Sequence, residues 1–233
     1  MLVLALDTTT RQGSVAVVKD DRVLLERPGD AARSHAERLP AEILSSLSDV
    51  GASTSDVDVF AVASGPGSFT GLRVGIATIQ GLALATSRNV VAVSALDGLA
   101  HLASADRAVG DLIGVWMDAY RKEVFSALYR VASLDLYSDE RLEEIEGPVV
   151  SAPDAALARW LHMDCRPNVW IGDGSAVYST IIDGIGEVRK TEPIAGTIGR
   201  LAISRSRAHG AINPAAIQPL YVRRPDAEVA RDR

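Results

Sequence analysis

Ala63-Ser64-Gly65-Pro66-Gly67-Ser68-Phe69-Thr70-Gly71-Leu72-Arg73 separates an apolar run, 57–63, from a long uncharged segment, and its reading decides the fold. A short apolar run bounded by turn residues is a buried strand, and the uncharged segment beyond the loop carries helical spacing. Glycines at such a strand-to-helix turn allow positive φ and close backbone approach. Amides at a helix start attract anions, so Gly65 and Gly67 are candidate phosphate contacts. No Walker lysine is present, and no Gly-x-Gly-x-x-Gly spacing stands after a first strand. The loop is therefore either a phosphate cradle or a turn that sets the angle of a helix.

The helix, expected from Thr70 to Thr86, has no charged residue between Arg73 and Arg88. Val74, Ile76, Ile79, Leu82 and Leu84 point in nearly every direction around its axis, and a helix apolar all round is buried all round. Gly71, Gly75, Ala77, Thr78 and Gly81 would admit a close backbone. Two readings are open: a subunit interface, extended by a neighbouring helix around His35, Leu39 and Ile43, or an internal helix shielded by the chain's own second half.

Working outward, Leu2 to Leu6 is an apolar strand ended by Asp7-Thr8-Thr9-Thr10, and Ser14 to Val18 and Arg22 to Glu26 complete a meander with the third strand toward an edge. A helix starts at Ser34, which Glu37 can complete as a capping box, and its stripe is Leu39, Ile43, Leu44 and Leu47. Val90 to Val93 is a strand and Ala95 to Ala103 a helix, giving the order βββαβαβα. Strands are expected again at Leu112 to Met117, Val124 to Tyr129, Leu134 to Tyr137 and Val169 to Ile171, with helices at Ala152 to Leu161 and Ile198 to His209. The repeated order predicts an α/β protein of two related subdomains, 1–106 and 107–222, each a sheet flanked by helices, with a charged tail over 223–233.

The 233 residues are 47% hydrophobic and 23% charged, which is globular composition. A net charge of −6 argues against independent binding to many phosphates. Cys165 is the only cysteine, so no intramolecular disulfide is possible. The first residues lack a basic leader, and no apolar run reaches the ~18 residues of a membrane span, so the expectation is a cytoplasmic protein without a membrane partner.

Leu4-Ala5-Leu6-Asp7-Thr8-Thr9, Ser64 to Gly75, Val93-Ser94-Ala95-Leu96 and Pro219-Leu220-Tyr221-Val222-Arg223 resemble the TsaB family of bacterial tRNA threonylcarbamoyladenosine biosynthesis proteins. The resemblance covers the whole chain and is strongest over the first hundred residues. It implies an actin-like (ASKHA) fold with two RNase H-like subdomains, each a mixed sheet. It implies a noncatalytic subunit that binds the catalytic paralogue TsaD through its two N-terminal helices, joined by the ATPase TsaE, with tRNA engaged through the complex. A homodimer of the isolated chain is implied as well. The partner-binding set is then His35, Leu39, Ile43, Gly71, Arg73, Val74, Gly75, Thr78, Ile79 and Leu82. In actin-like folds the carboxylate after the first strand lies near metal-bound phosphate, which makes Asp7, Thr8, Thr9, Gly65 and Gly67 a possible nucleotide set. The alternative for Asp7-Thr8-Thr9-Thr10 is a hydrogen-bonded turn.

The catalytic paralogue holds a metal through two histidines at i, i+4 on the helix after the fifth strand. Ala95 and Leu99 occupy those places here, and neither can coordinate a metal. No catalytic residue, metal or cofactor is therefore expected. Two rivals remain: an actin-like small-molecule kinase, which lacks a second glycine loop in Trp116 to Glu123, and a peptidase, which lacks a nucleophile–base pair.

Overall fold

Period-2 alternation in the strands builds three cores. The computed structural model describes residues 1–223; residues 224–233 of the expected tail lie outside them. The first half runs β1 (Leu2–Asp7), β2 (Ser14–Lys19), β3 (Arg22–Pro28), α1 (His35–Asp49), β4 (Val59–Gly65), α2 (Phe69–Thr86), β5 (Asn89–Ser94) and α3 (Ala95–Ser104). The second runs β6 (Leu112–Asp118), β7 (Val124–Val131), β8 (Leu142–Ser151), α4 (Pro153–His162), β9 (Val169–Ile171), α5 (Asp173–Val177), β10 (Glu187–Val188) and α6 (Ala195–His209).

The first sheet has the order β3-β2-β1-β4-β5 and the second β8-β7-β6-β9-β10. In both, the leading three strands are antiparallel and the last two join in parallel. The two halves thus share one topology, with β6 standing for β1 and α6 for α3. This is an actin-like fold of two mixed sheets. β3 lies at an edge, as its amphipathic sequence predicts.

Leu4 and Leu6 of β1 with Phe60 and Val62 of β4 face α1 and α2, while Val3, Ala5, Ala61 and Ala63 face the other way. That second face meets α6 and α3, which lie between the sheets and join the inward residues Ile113, Val115 and Met117 of β6. The outer face of the second sheet carries Trp116, Trp160 and Trp170, packed ring against ring. α6 comes last in sequence yet packs on β1 to β5 of the first sheet.

Two local expectations change. Leu44 is 62% exposed, so the buried apolar stripe of α1 is Leu39, Ile43 and Leu47, beside the buried Arg38 and Ser46. Leu134 to Tyr137 is not a strand; β8 comes instead, where Glu143, Glu144, Glu146 and Pro148 hide the pattern. Pro148 is tolerated because β8 is an edge strand. The box at Ser34 forms as expected, its amide donating to Glu37 Oε2 at 2.9 Å.

Candidate functional site

A cleft of about 1020 Å³ opens where the carboxyl ends of β1 and β6 face each other. Asp7 ends β1 and Asp118 ends β6, so the internal duplication brings two strand-terminal carboxylates to one floor. Asp173, at the start of α5, joins them and accepts the Asp118 amide at 2.9 Å. Burial pushes the Asp7 carboxyl above its ordinary range, against hydrogen bonds from the Thr9 hydroxyl (2.6 Å) and amide (2.8 Å). Burial raises Asp173 likewise.

Of the five residues in the possible nucleotide set, Asp7, Thr9 and Gly67 line this cleft. Thr8 is buried against Gly75, and Gly65 sits beneath Leu220, whose amide donates to Ser64 O at 2.7 Å. Two of the loop's amides are already committed within the chain. Ser68 N donates to Thr9 O at 2.7 Å, and Gly71 N donates to the capping Ser68 Oγ at 3.2 Å. Gly67 is glycine because a Cβ there would lie 2.5 Å from Thr9 O. The loop's first task is to seat α2 on the end of β1.

Past Arg73 in its first turns, α2 carries no charge on either face, but only one face is covered. Ile76, Ile79 and Ala83 are buried against the first sheet and α1. Gln80 donates to Pro214 O at 2.8 Å, so the C-terminal segment covers a further side. Ala77, Gly81, Leu84 and Ala85 remain exposed, with Val74, Thr78 and Leu82 half-buried beside them. The chain's second half does not shield this helix: its covering elements are the first sheet, α1 and the C-terminal segment.

This changes the face expected for a partner. Gly71 and Gly75 point inward: added Cβ atoms would lie 2.1 Å from Thr8 O and Thr8 Oγ1. Leu39, Ile43 and Ile79 are core. His35 is half-buried, with Nε2 2.9 Å from Thr10 O and Nδ1 near Arg38, and so braces the turn after β1. Arg73, Val74, Thr78 and Leu82 stay on or beside the open face. Sequence reasoning overvalued the glycines because helical spacing alone does not tell which small residue meets its own chain.

Sequence reasoning also missed Asp118, Asp173, Phe69, Tyr120 and Tyr221 as cleft residues. The first carried a signal: Val115-Trp116-Met117-Asp118 repeats the strand-to-aspartate pattern of Leu4-Ala5-Leu6-Asp7. On α3, Ala95 and Leu99 lie in the core. Among the described residues no group of three His, Cys, Asp or Glu is placed to hold a metal.

A duplicated α/β sheet pair closing on a carboxylate-floored cleft defines an actin-like two-lobed protein. The family model of TsaD, tRNA N6-adenosine threonylcarbamoyltransferase, matches residues 26–168. The tRNA threonylcarbamoyladenosine biosynthesis protein TsaB of Haemophilus influenzae is 32% identical over 77% of this chain and 75% of its own. The Bacillus subtilis TsaB is 29% identical over 79% and 76%. The structure of YeaZ from Pseudomonas aeruginosa superposes with a TM-score of 0.78 at 26% identity, over 94% of this chain and 99% of that one. The chain belongs to the TsaB family, which ties it to threonylcarbamoyladenosine modification of tRNA.

Proposed function

We propose that this chain is a noncatalytic subunit that docks on the catalytic paralogue TsaD through the open face of α2, extended by the exposed end of α1. The observation that carries the reading is an uncharged, small-residue helix face left uncovered by the chain itself. Ala77, Gly81 and Ala85 allow close helix approach, and Leu84, 63% exposed, is a ready anchor. Leu44 on the adjoining α1 is exposed to a similar degree. An apolar side chain of this size is stabilised by burial, and two on neighbouring helices favour a partner surface over solvent.

The same face suits a homodimer of the isolated chain, in competition with the paralogue. The ATPase TsaE would join the docked pair, tRNA would be served by the assembly, and the setting is the cytoplasm. No helix among the described residues is long and apolar enough to cross a membrane.

Reconstitution tests the function directly: paralogue, ATPase, adenylate-forming enzyme, ATP, threonine, bicarbonate and tRNA are combined with and without this chain. Omitting the chain should abolish threonylcarbamoyl transfer. Equal product without it would overturn the proposal.

A further inference from the structure

The mouth of the cleft is built differently from its floor. Phe69 and Tyr221 pack at 5.3 Å between ring centroids, and the Arg73 guanidinium lies 3.9 Å above the Phe69 ring. Arg73 Nε also donates to the Tyr221 hydroxyl at 3.0 Å, which fixes the three side chains as one cluster. All three remain exposed. Across the same cleft stands the β6–β7 hairpin, whose tip carries Tyr120 at 65% exposure.

That tip is held in costly backbone. Tyr120, Arg121 and Lys122 have φ of 56°, 57° and 62°, a run of three left-handed residues without a glycine. Tyr120 N donates to Asp118 Oδ1 at 3.0 Å, and Glu123 N donates to Tyr120 O at 3.0 Å, which over-determines the turn. The consequence is a tyrosine ring presented to solvent with no ring contact among the described residues. Neither Arg73 at the mouth nor the exposed Lys122 on the hairpin makes an ion pair among the described residues, so neither cation is neutralised by a carboxylate.

We propose that this mouth is a contact for single-stranded RNA: Tyr120 and the Phe69–Arg73–Tyr221 cluster flank an unpaired base, and Arg73 and Lys122 meet the adjoining phosphates. Exposed aromatics stack any base, and arginine planes extend the platform. A free nucleoside triphosphate fits less well. Its phosphates would have to descend toward Asp7, Asp118 and Asp173, past a loop whose Ser68 amide is already donated. A strand crossing the mouth keeps its phosphates with the cations at the rim. The net charge of −6 limits binding to this local patch and makes it sensitive to salt. The proposal goes beyond the subunit reading: it gives the chain an RNA contact of its own within the assembly, between the first turn of α2 and the β6–β7 hairpin of the second lobe.

Fluorescence anisotropy of the full chain with a labelled RNA hairpin at low ionic strength tests it. The hairpin with an unpaired loop should bind, and an uninterrupted duplex of the same stem should not. Tyr120→Ala should weaken loop binding about five- to 150-fold, the effect of losing one stacked base. Lys122→Gln should lower the slope of log K against log salt by about 0.7. Tyr120→Ala should still co-purify with the paralogue, so a failure here is distinct from a failure of the subunit reading. Absence of hairpin binding, equal duplex binding, unchanged affinity in Tyr120→Ala, or full displacement by ATP would each overturn the proposal.

Discussion

Gly75 stands where a single added carbon would lie 2.1 Å from Thr8 Oγ1, a contact no side chain tolerates. Gly75→Ala should therefore destabilise the protein by about 1–3 kcal/mol, as forced overpacking does. Gly81, further along the same helix, faces open space, and Gly81→Ala should stabilise by up to about 1 kcal/mol through helix propensity. Denaturant midpoints of the two variants should move in opposite directions. His101 offers a second residue-scale test. It is 4% exposed with Nδ1 unpartnered, and burial pulls its pKa down to about 4. A histidine whose folded pKa lies below its unfolded value of about 6.5 is stabilising while neutral, and its contribution is lost as pH falls through that interval. Stability of the natural protein should drop by up to about 3 kcal/mol more than that of His101→Leu between pH 6.5 and 4, by denaturant titration. Nothing in the residues around His101 foretells its burial, because the elements that enclose it come from β7, β8 and α6, far along the chain.

At the scale of elements, α2 was the most legible part of the chain and also the most misleading. Its ends, its lack of charge and its association with α1 are set by spacing and capping residues. Which of its small residues face inward is not, since the close approach of Thr8 depends on how the β1 end enters the α2 start. Substituting the outward residues separates folding from docking. Leu84→Glu and Leu44→Glu should each prevent co-purification with the paralogue while shifting stability by no more than about 0.5 kcal/mol. Thermal melts alongside pull-down measure both. Ser34→Ala provides the contrast: loss of the capping box should lower stability by about 0.5–2 kcal/mol and leave docking intact at low temperature. β8 was illegible for a different reason. It is an edge strand whose exposed glutamates break the alternation that a half-buried strand displays.

The whole molecule depends on α3 and α6, which pack on each other and between the two sheets. Gly98 of α3 lets Ile198 of α6 approach, since a Cβ there would lie 2.9 Å from Ile198 Cδ1. Gly98→Val should lower the unfolding midpoint of both lobes together. All three tryptophans lie on the outer face of the second sheet, so their fluorescence reports one lobe while far-UV circular dichroism reports both. The two signals should shift as a single transition; separated transitions would contradict a shared core. The duplication itself was legible as a repeated order of elements. The position of α6 on the first sheet was not, because nothing in its spacing says which sheet it will cover. That placement has a consequence for synthesis. The part of the first sheet's inner face that α6 covers stays bare until the chain has been made to residue 209, roughly 10–40 s after β1 emerges at ordinary elongation rates. The nascent first half carries an uncovered apolar surface throughout that interval, which makes it a natural client for ribosome-associated chaperones.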